Sequence, residues 1–129
     1  MTRINVGIPP RELSGKHLIA EHRELKRIPN AVGKGKCRLD RIPARFSLGT
    51  GHVSFFYDKL GYLLNRYRDL YNECCRRGYS VQNYESAWKD VPSSLMNNYE
   101  PTDDDIALIK DRIAERLANP IAKQKPKLK

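Results

Sequence analysis

From Val53 to Cys74 an apolar or aromatic side chain recurs every three to four residues: Val53, Phe56 and Tyr57, Leu60, Leu63 and Leu64, Tyr67, Leu70 and Tyr71, Cys74. That period predicts an amphipathic helix with a wide apolar face. Arg76 and Arg77 fall in its last turn, where cations complement the helix dipole, and Gly78 supplies a stop. A second helix is predicted over 15–28, with Ser14 as its N-cap, Leu18, Leu25 and Ile28 as its stripe, and Pro29 opposing continuation. A third starts at Thr102, buries Ile106, Ile109, Ile113 and Leu117, and ends at Asn119 and Pro120. Between these lie polar, Gly- and Pro-punctuated segments. Residues 2–13 are irregular around Pro9 and Pro10. Residues 30–50 form a loop with room for a short turn after Pro43, and 79–101 is a long connection holding Pro92 and Pro101. With no repeat and no alternating run, the pattern reads as all-α: a compact single domain of three main helices with long connecting loops. Residues 1–118 form the helical domain, and 119–129 form a basic tail expected to be mobile.

Charge sharpens this picture. The chain carries 24 Lys and Arg against 15 Asp and Glu, a formal net charge of +9. Residues 1–48 hold 11 basic and 4 acidic side chains, 79–105 hold 1 and 6, and 106–129 hold 7 and 2. Two basic lobes around an acidic middle fit a chain whose ends meet a polyanion. No stretch approaches the roughly 18 apolar residues of a membrane span. The first ten residues lack the charged start and apolar run of a secretory signal. Cys37, Cys74 and Cys75 are odd in number and lack zinc-site spacing. The expectation is a reduced, intracellular protein without structural metal, acting as a monomer. Cys74 and Cys75 read as packing residues, and His22 and His52 fit no recognisable partner pattern.

The candidate chemistry begins at Thr2. Its small side chain leads one to expect removal of Met1, which leaves a free α-amine. An α-amine has a pKa of about 7.7–8.0 against about 10.4 for Lys, so its neutral, nucleophilic fraction near pH 7 is a few hundred times larger. Such an amine can form a Schiff base with an aldehyde-like carbon, and the like charge of Arg3 would make it still more available. In the first predicted helix Lys16, Arg23 and Arg27 share one stripe, and His17 and Glu24 share the next. Glu24 is therefore flanked by Arg23 and Arg27. This is either an ordinary surface ladder of ion pairs or a carboxylate held in a cationic groove, able to steady a developing positive charge and move protons. Glu21, beside Leu18 and Leu25, reads as a structural, hydrogen-bonded carboxylate. Arg112 and Arg116, one turn apart in the last helix, can track successive phosphates. Asp103, Asp104 and Asp105 read as a helix start completed by Thr102 rather than as a metal site.

Taken together, MTRIN at the start, HLIAEHRELKR at 17–27, LGTGHVSFFYDK at 48–59 and YEPTDDDIALIKDRIAERLANP at 99–120 resemble the pyrimidine-dimer DNA glycosylases and abasic-site lyases of the phage and algal-virus type. The resemblance spans roughly residues 2–118. It implies a small all-α repair enzyme without cofactor, acting on cyclobutane pyrimidine dimers in double-stranded DNA. It implies that the Thr2 amine attacks C1′ of the dimer's 5′ sugar, breaking the glycosidic bond, and that β-elimination from the imine nicks the strand. On the same grounds Glu24 matches the catalytic carboxylate, and Arg3, Arg23 and Arg27 match arginines around the lesion. His17 matches a His near the site, and Arg112 and Arg116 match phosphate-contacting cations. The resemblance also implies that the base opposite the dimer leaves the stack. The chain departs from the pattern in three places: an extra residue and the Pro-Pro pair at 6–13, a shorter loop after the first helix, and a tail, IAKQKPKLK, with lysines but no aromatic residue. That tail can attract phosphates but cannot stack on bases.

Two other readings of the residues stay open: a non-catalytic basic DNA-binding module, and an abasic-site lyase acting on a different damaged base.

Overall fold

A computed structural model describes residues 2–118. Its helices are α1 (Gly15–Leu25), α2 (Arg27–Gly33), α3 (Leu60–Arg76) and α4 (Asp103–Ala118), with single 3-10 turns at Pro10–Glu12, Ser54–Phe56, Glu85–Trp88 and Ser93–Leu95. No strand occurs among the described residues, and the domain is all-α as the sequence pattern predicts. Met1, the end expected at Asn119 and Pro120, and the basic tail lie outside the described residues.

The first helix begins as expected: Ser14 Oγ accepts the His17 amide at 3.2 Å. It differs at its far end. α1 stops at Leu25, and α2 starts two residues later and runs through Pro29 to Gly33. Pro29 takes the third position of α2, inside the first turn, where a missing N–H costs nothing because that group has no intrahelical acceptor. The loop expected from residue 30 therefore begins at Lys34.

The long central helix is also shorter than its periodicity. Residues 53–59 coil as a 3-10 turn and bends, and α3 starts at Leu60. Tertiary packing sets this boundary. The 96–97 backbone lies against the first turn of α3, where the Tyr62 amide donates to the Asn97 carbonyl at 3.1 Å. Only Gly fits at position 61, since a Cβ there would stand 2.8 Å from the Met96 carbonyl oxygen. The aromatic residues just before α3 keep their apolar role without its helix. Phe55 and Phe56 are buried in edge-to-face contact with Phe46 and Tyr99. At the other end Gly78, at φ 83°, ends α3 as expected, and the Tyr79 amide returns to the Cys74 carbonyl.

α1 packs on α3, and Leu18 and Leu25 of the one and Leu63 and Leu70 of the other are fully buried. Cys74 continues that face, whereas Cys75 is exposed, so the packing role expected of both belongs to Cys74 alone. His22 finds partners that its spacing did not disclose: its Nε2 pairs with the Tyr67 hydroxyl at 3.0 Å, and its ring stacks on Tyr67. The 79–101 segment is tied down by Trp88, whose indole N–H donates to the Leu60 carbonyl at 3.0 Å. α4 begins with the expected reciprocal cap, the Asp105 amide on Thr102 Oγ1 and the Thr102 amide on Asp105 Oδ2. It is anchored by the buried Ile109.

Candidate active site

The N-terminal segment has neither a helix nor a sheet to hold it, yet Ile4, Asn5, Val6 and Ile8 are buried. Side chains from several elements take up its polar groups. The Ile4 amide donates to His52 Nε2 at 2.9 Å. The Asn5 amide and its side-chain Nδ2 both donate to Glu21 on α1, at 3.3 and 2.8 Å. Asn5 Oδ1 accepts from Arg112 on α4 at 2.9 Å. The Ile8 carbonyl accepts from Arg66 on α3.

Glu21 is 1% exposed and is held by a two-pronged bond from Arg66, Nε to Oε2 at 2.5 Å and Nη2 to Oε1 at 2.9 Å. Burial works against the Arg66 charge, but the Glu21 carboxylate outweighs it and raises the Arg66 pKa above its ordinary value. The structural role read for Glu21 is thus the observed one.

Two adjoining cavities flank this segment, with Arg3 and Arg112 in the walls of both. The first, about 270 Å³, is lined by Lys16, His17, Glu21 and Glu24 of α1 and by Arg112 and Arg116 of α4. The second, about 400 Å³, takes in Thr2 and a loop wall from Leu48 to Ser54, closed by Tyr57. Thr2 is nearly buried, and the Glu24 side chain is 15% exposed.

The electrostatics are those of crowded cations around two carboxylates, Glu21 engaged by Arg66 and Glu24 facing the cavity. Burial, then Arg3, then Arg116 push Arg112 down to about 10, still charged at neutral pH. Burial and Arg116 lower Arg3, while Glu24 acts in the opposite sense. Burial, Arg116 and Arg112 lower His17, which is therefore held in its neutral form, its Nδ1 paired with Ser14 Oγ. Such a site is poised for an anion, because a phosphate entering it relieves repulsion already present.

The structure thus brings Thr2, Arg3, His17, Glu24, Arg112 and Arg116 around one pair of cavities. Arg23 meets Glu24 from outside, Nη2 to Oε2 at 3.4 Å, with its own side chain 57% exposed. Arg27 is exposed at the start of α2 and lines neither cavity. Sequence reasoning missed Asn5 and His52. Both lie in segments that carry the family resemblance, but no spacing rule connects residue 4 to 52 or residue 5 to 112. Among the described residues no three His, Cys, Asp or Glu side chains gather in a way that could hold a metal ion. No helix of the described chain is long and apolar enough to cross a membrane.

A family model for pyrimidine dimer DNA glycosylases matches residues 1–85, the greater part of the chain. The matched stretch contains Thr2, Arg3, His17, Arg23, Glu24, Arg27 and His52, while Arg112 and Arg116 come from α4 beyond it. The chain belongs to the pyrimidine dimer DNA glycosylase family, and its partner is DNA.

Proposed function

We propose that this glycosylase works through the Thr2 amine as a nucleophile, and that it is also an abasic-site lyase. The observation that carries this reading is the placement of Glu24. A carboxylate with little solvent contact faces a cavity whose wall also carries Arg3, Lys16, Arg112 and Arg116, next to the cavity that holds Thr2.

With Met1 removed, the neutral Thr2 amine attacks C1′ of the 5′ nucleotide of a cyclobutane dimer. The bond from C1′ to the base breaks, and its electron pair leaves with the base nitrogen. The sugar ring then opens to give an imine between Thr2 and C1′. Positive charge grows on the sugar as the base leaves, and the Glu24 carboxylate stabilises it. Loss of a proton from C2′ pushes electrons through the imine and expels the 3′ phosphate, nicking the strand. Glu24 is also placed to move protons in these steps. Arg3, Arg112 and Arg116 hold backbone phosphates, with Arg23 and Arg27 extending the positive surface beyond the cavities. His17, neutral, serves as a hydrogen-bonding wall. The protein acts as a monomer on duplex DNA.

Borohydride trapping tests this directly. A duplex with one site-specific cyclobutane dimer is expected to give a covalent adduct whose mass maps to the Thr2 α-amine. An adduct with an abasic duplex but none with the dimer would retain the lyase and move the lesion specificity elsewhere. No adduct with either would leave a DNA-binding domain without this chemistry. Active protein still carrying Met1 by intact mass would refute the role of Thr2.

A further inference from the structure

The amine proposed to react belongs to a segment without secondary structure, so its position needs a separate cause. Ile4 and Asn5 are 0% and 5% exposed. Their amides are buried donors that water cannot satisfy, and each buried donor needs an acceptor. Both acceptors are buried side chains: His52 Nε2 for Ile4 and Glu21 Oε2 for Asn5. Each acceptor is itself braced. The second ring nitrogen of His52, Nδ1, lies 2.9 Å from the Ser47 carbonyl oxygen. A carbonyl cannot donate, so Nδ1 carries the proton and Nε2 is left as a lone-pair acceptor. Glu21 is braced by the two bonds from Arg66. Two consecutive peptide units are therefore gripped by His52 from the loop wall and by Glu21 from α1.

We infer that His52 and Glu21 are positioning residues that set where the Thr2 amine stands, through the backbone amides of Ile4 and Asn5. This inference rests on the proposed role of Thr2 and adds the device that aims it. Two extended residues span roughly 7 Å, so the grip at Ile4 is close enough to control the amine. A misplacement of about 1 Å at a reacting centre can cost on the order of a hundredfold in rate. Burial, the first cause of its lowered pKa, keeps His52 in the neutral form that the grip requires. His52 also lines the Thr2 cavity, whereas the Glu21 carboxylate is fully engaged by Arg66 and Asn5.

His52→Leu and His52→Gln test the inference, because a Gln side-chain oxygen can still accept the Ile4 amide and Leu cannot. Three quantities are read: the rate of borohydride trapping on an abasic duplex, affinity for a duplex bearing an unreactive tetrahydrofuran abasic analogue, and Tm. For His52→Leu, trapping is expected to slow ten- to a hundredfold while affinity stays within about twofold. His52→Gln is expected to recover a substantial part of the rate. A folded His52→Leu that traps at the wild-type rate would overturn the inference. So would a loss of affinity in proportion to the loss of rate, or a Gln variant no better than Leu. In the wild-type protein, nitrogen NMR is expected to find the His52 proton on Nδ1, and a proton on Nε2 would overturn the inference whatever the variants do. A wild-type protein that forms no adduct with dimer or abasic duplex fails the proposed function itself, a result distinct from all of these.

Discussion

Replacing Arg66 by Met removes one partner of the most deeply buried ion pair and leaves the volume nearly filled. Arg66 is 7% exposed and Glu21 1%. The guanidinium gives Glu21 two of the four N–H bonds the carboxylate receives, the others coming from Asn5, and it also serves the Ile8 carbonyl. Without it a carboxylate stays buried with half its donors, and breaking a buried pair from one side costs about 3–5 kcal/mol. The orphaned Ile8 carbonyl adds about 1 kcal/mol. For a chain of this length that corresponds to a drop in Tm of about 15–22 °C. Urea unfolding followed by Trp88 fluorescence measures the cost. The pairing of Glu21→Gln with Arg66→Met separates charge from shape. The double variant buries no charge, and the Gln oxygen can still accept from Asn5. It is expected to be more stable than Arg66→Met alone, with a coupling of at least about 2 kcal/mol. A single-variant loss below about 1 kcal/mol, or strictly additive single changes, would refute the claim that this pair anchors the N-terminal segment.

The carboxylate proposed to be catalytic behaves differently. Glu24→Gln is expected to slow imine trapping by about 10²- to 10⁴-fold with little change in Tm or in duplex affinity, and full retention of trapping would remove Glu24 from the chemistry. Arg116→Ala is expected to weaken binding uniformly across duplex sequences and to lower the slope of log affinity against log salt by about 1, read by titration at several salt concentrations; an unchanged slope would detach Arg116 from the phosphates. His17, His22 and His52 all have folded-state pKa values lowered from 6.5, chiefly by burial. The unfolded chain therefore takes up protons first as pH falls, and Tm is expected to hold above about pH 6.5 and decline below it; a Tm that rises between pH 7 and 5.5 would contradict this.

The helices were legible wherever one apolar stripe met a single capping signal. Ser14, Gly78 and the Thr102–Asp105 pair mark boundaries by local chemistry, and local chemistry is what a sequence displays. The beginning of α3 was not legible, because Val53 and Phe56 continue the helical period while the 96–97 backbone, some forty residues away, decides where the helix starts. Pro29 misled for a related reason: it breaks a helix interior but suits the first turn of a new one. At the site, Glu24, Arg112 and Arg116 could be named as charged residues on helix faces, and Thr2 from the chemistry of an α-amine. Asn5 and His52 could not, since their roles exist only through contacts with Glu21, Arg112 and the Ile4 amide. The exposure of Arg27 was equally hidden, because it depends on the break between α1 and α2.

The grip on Ile4 and Asn5 also bears on how the protein matures during synthesis. Thr2 is 9% exposed in the finished fold, so any processing that must reach Thr2 is favoured before folding is complete. The groups that fasten the segment come from residues 21, 52, 66 and 112, on three helices and a loop, so the seat is complete only once α4 has docked. Until then the N-terminus has no complete seat and stays open to processing. On the proposed chemistry the order of events is therefore built into the chain: the nascent protein is trimmed while its first residues are still loose, and the arrival of α4 completes the seat that holds the Thr2 amine.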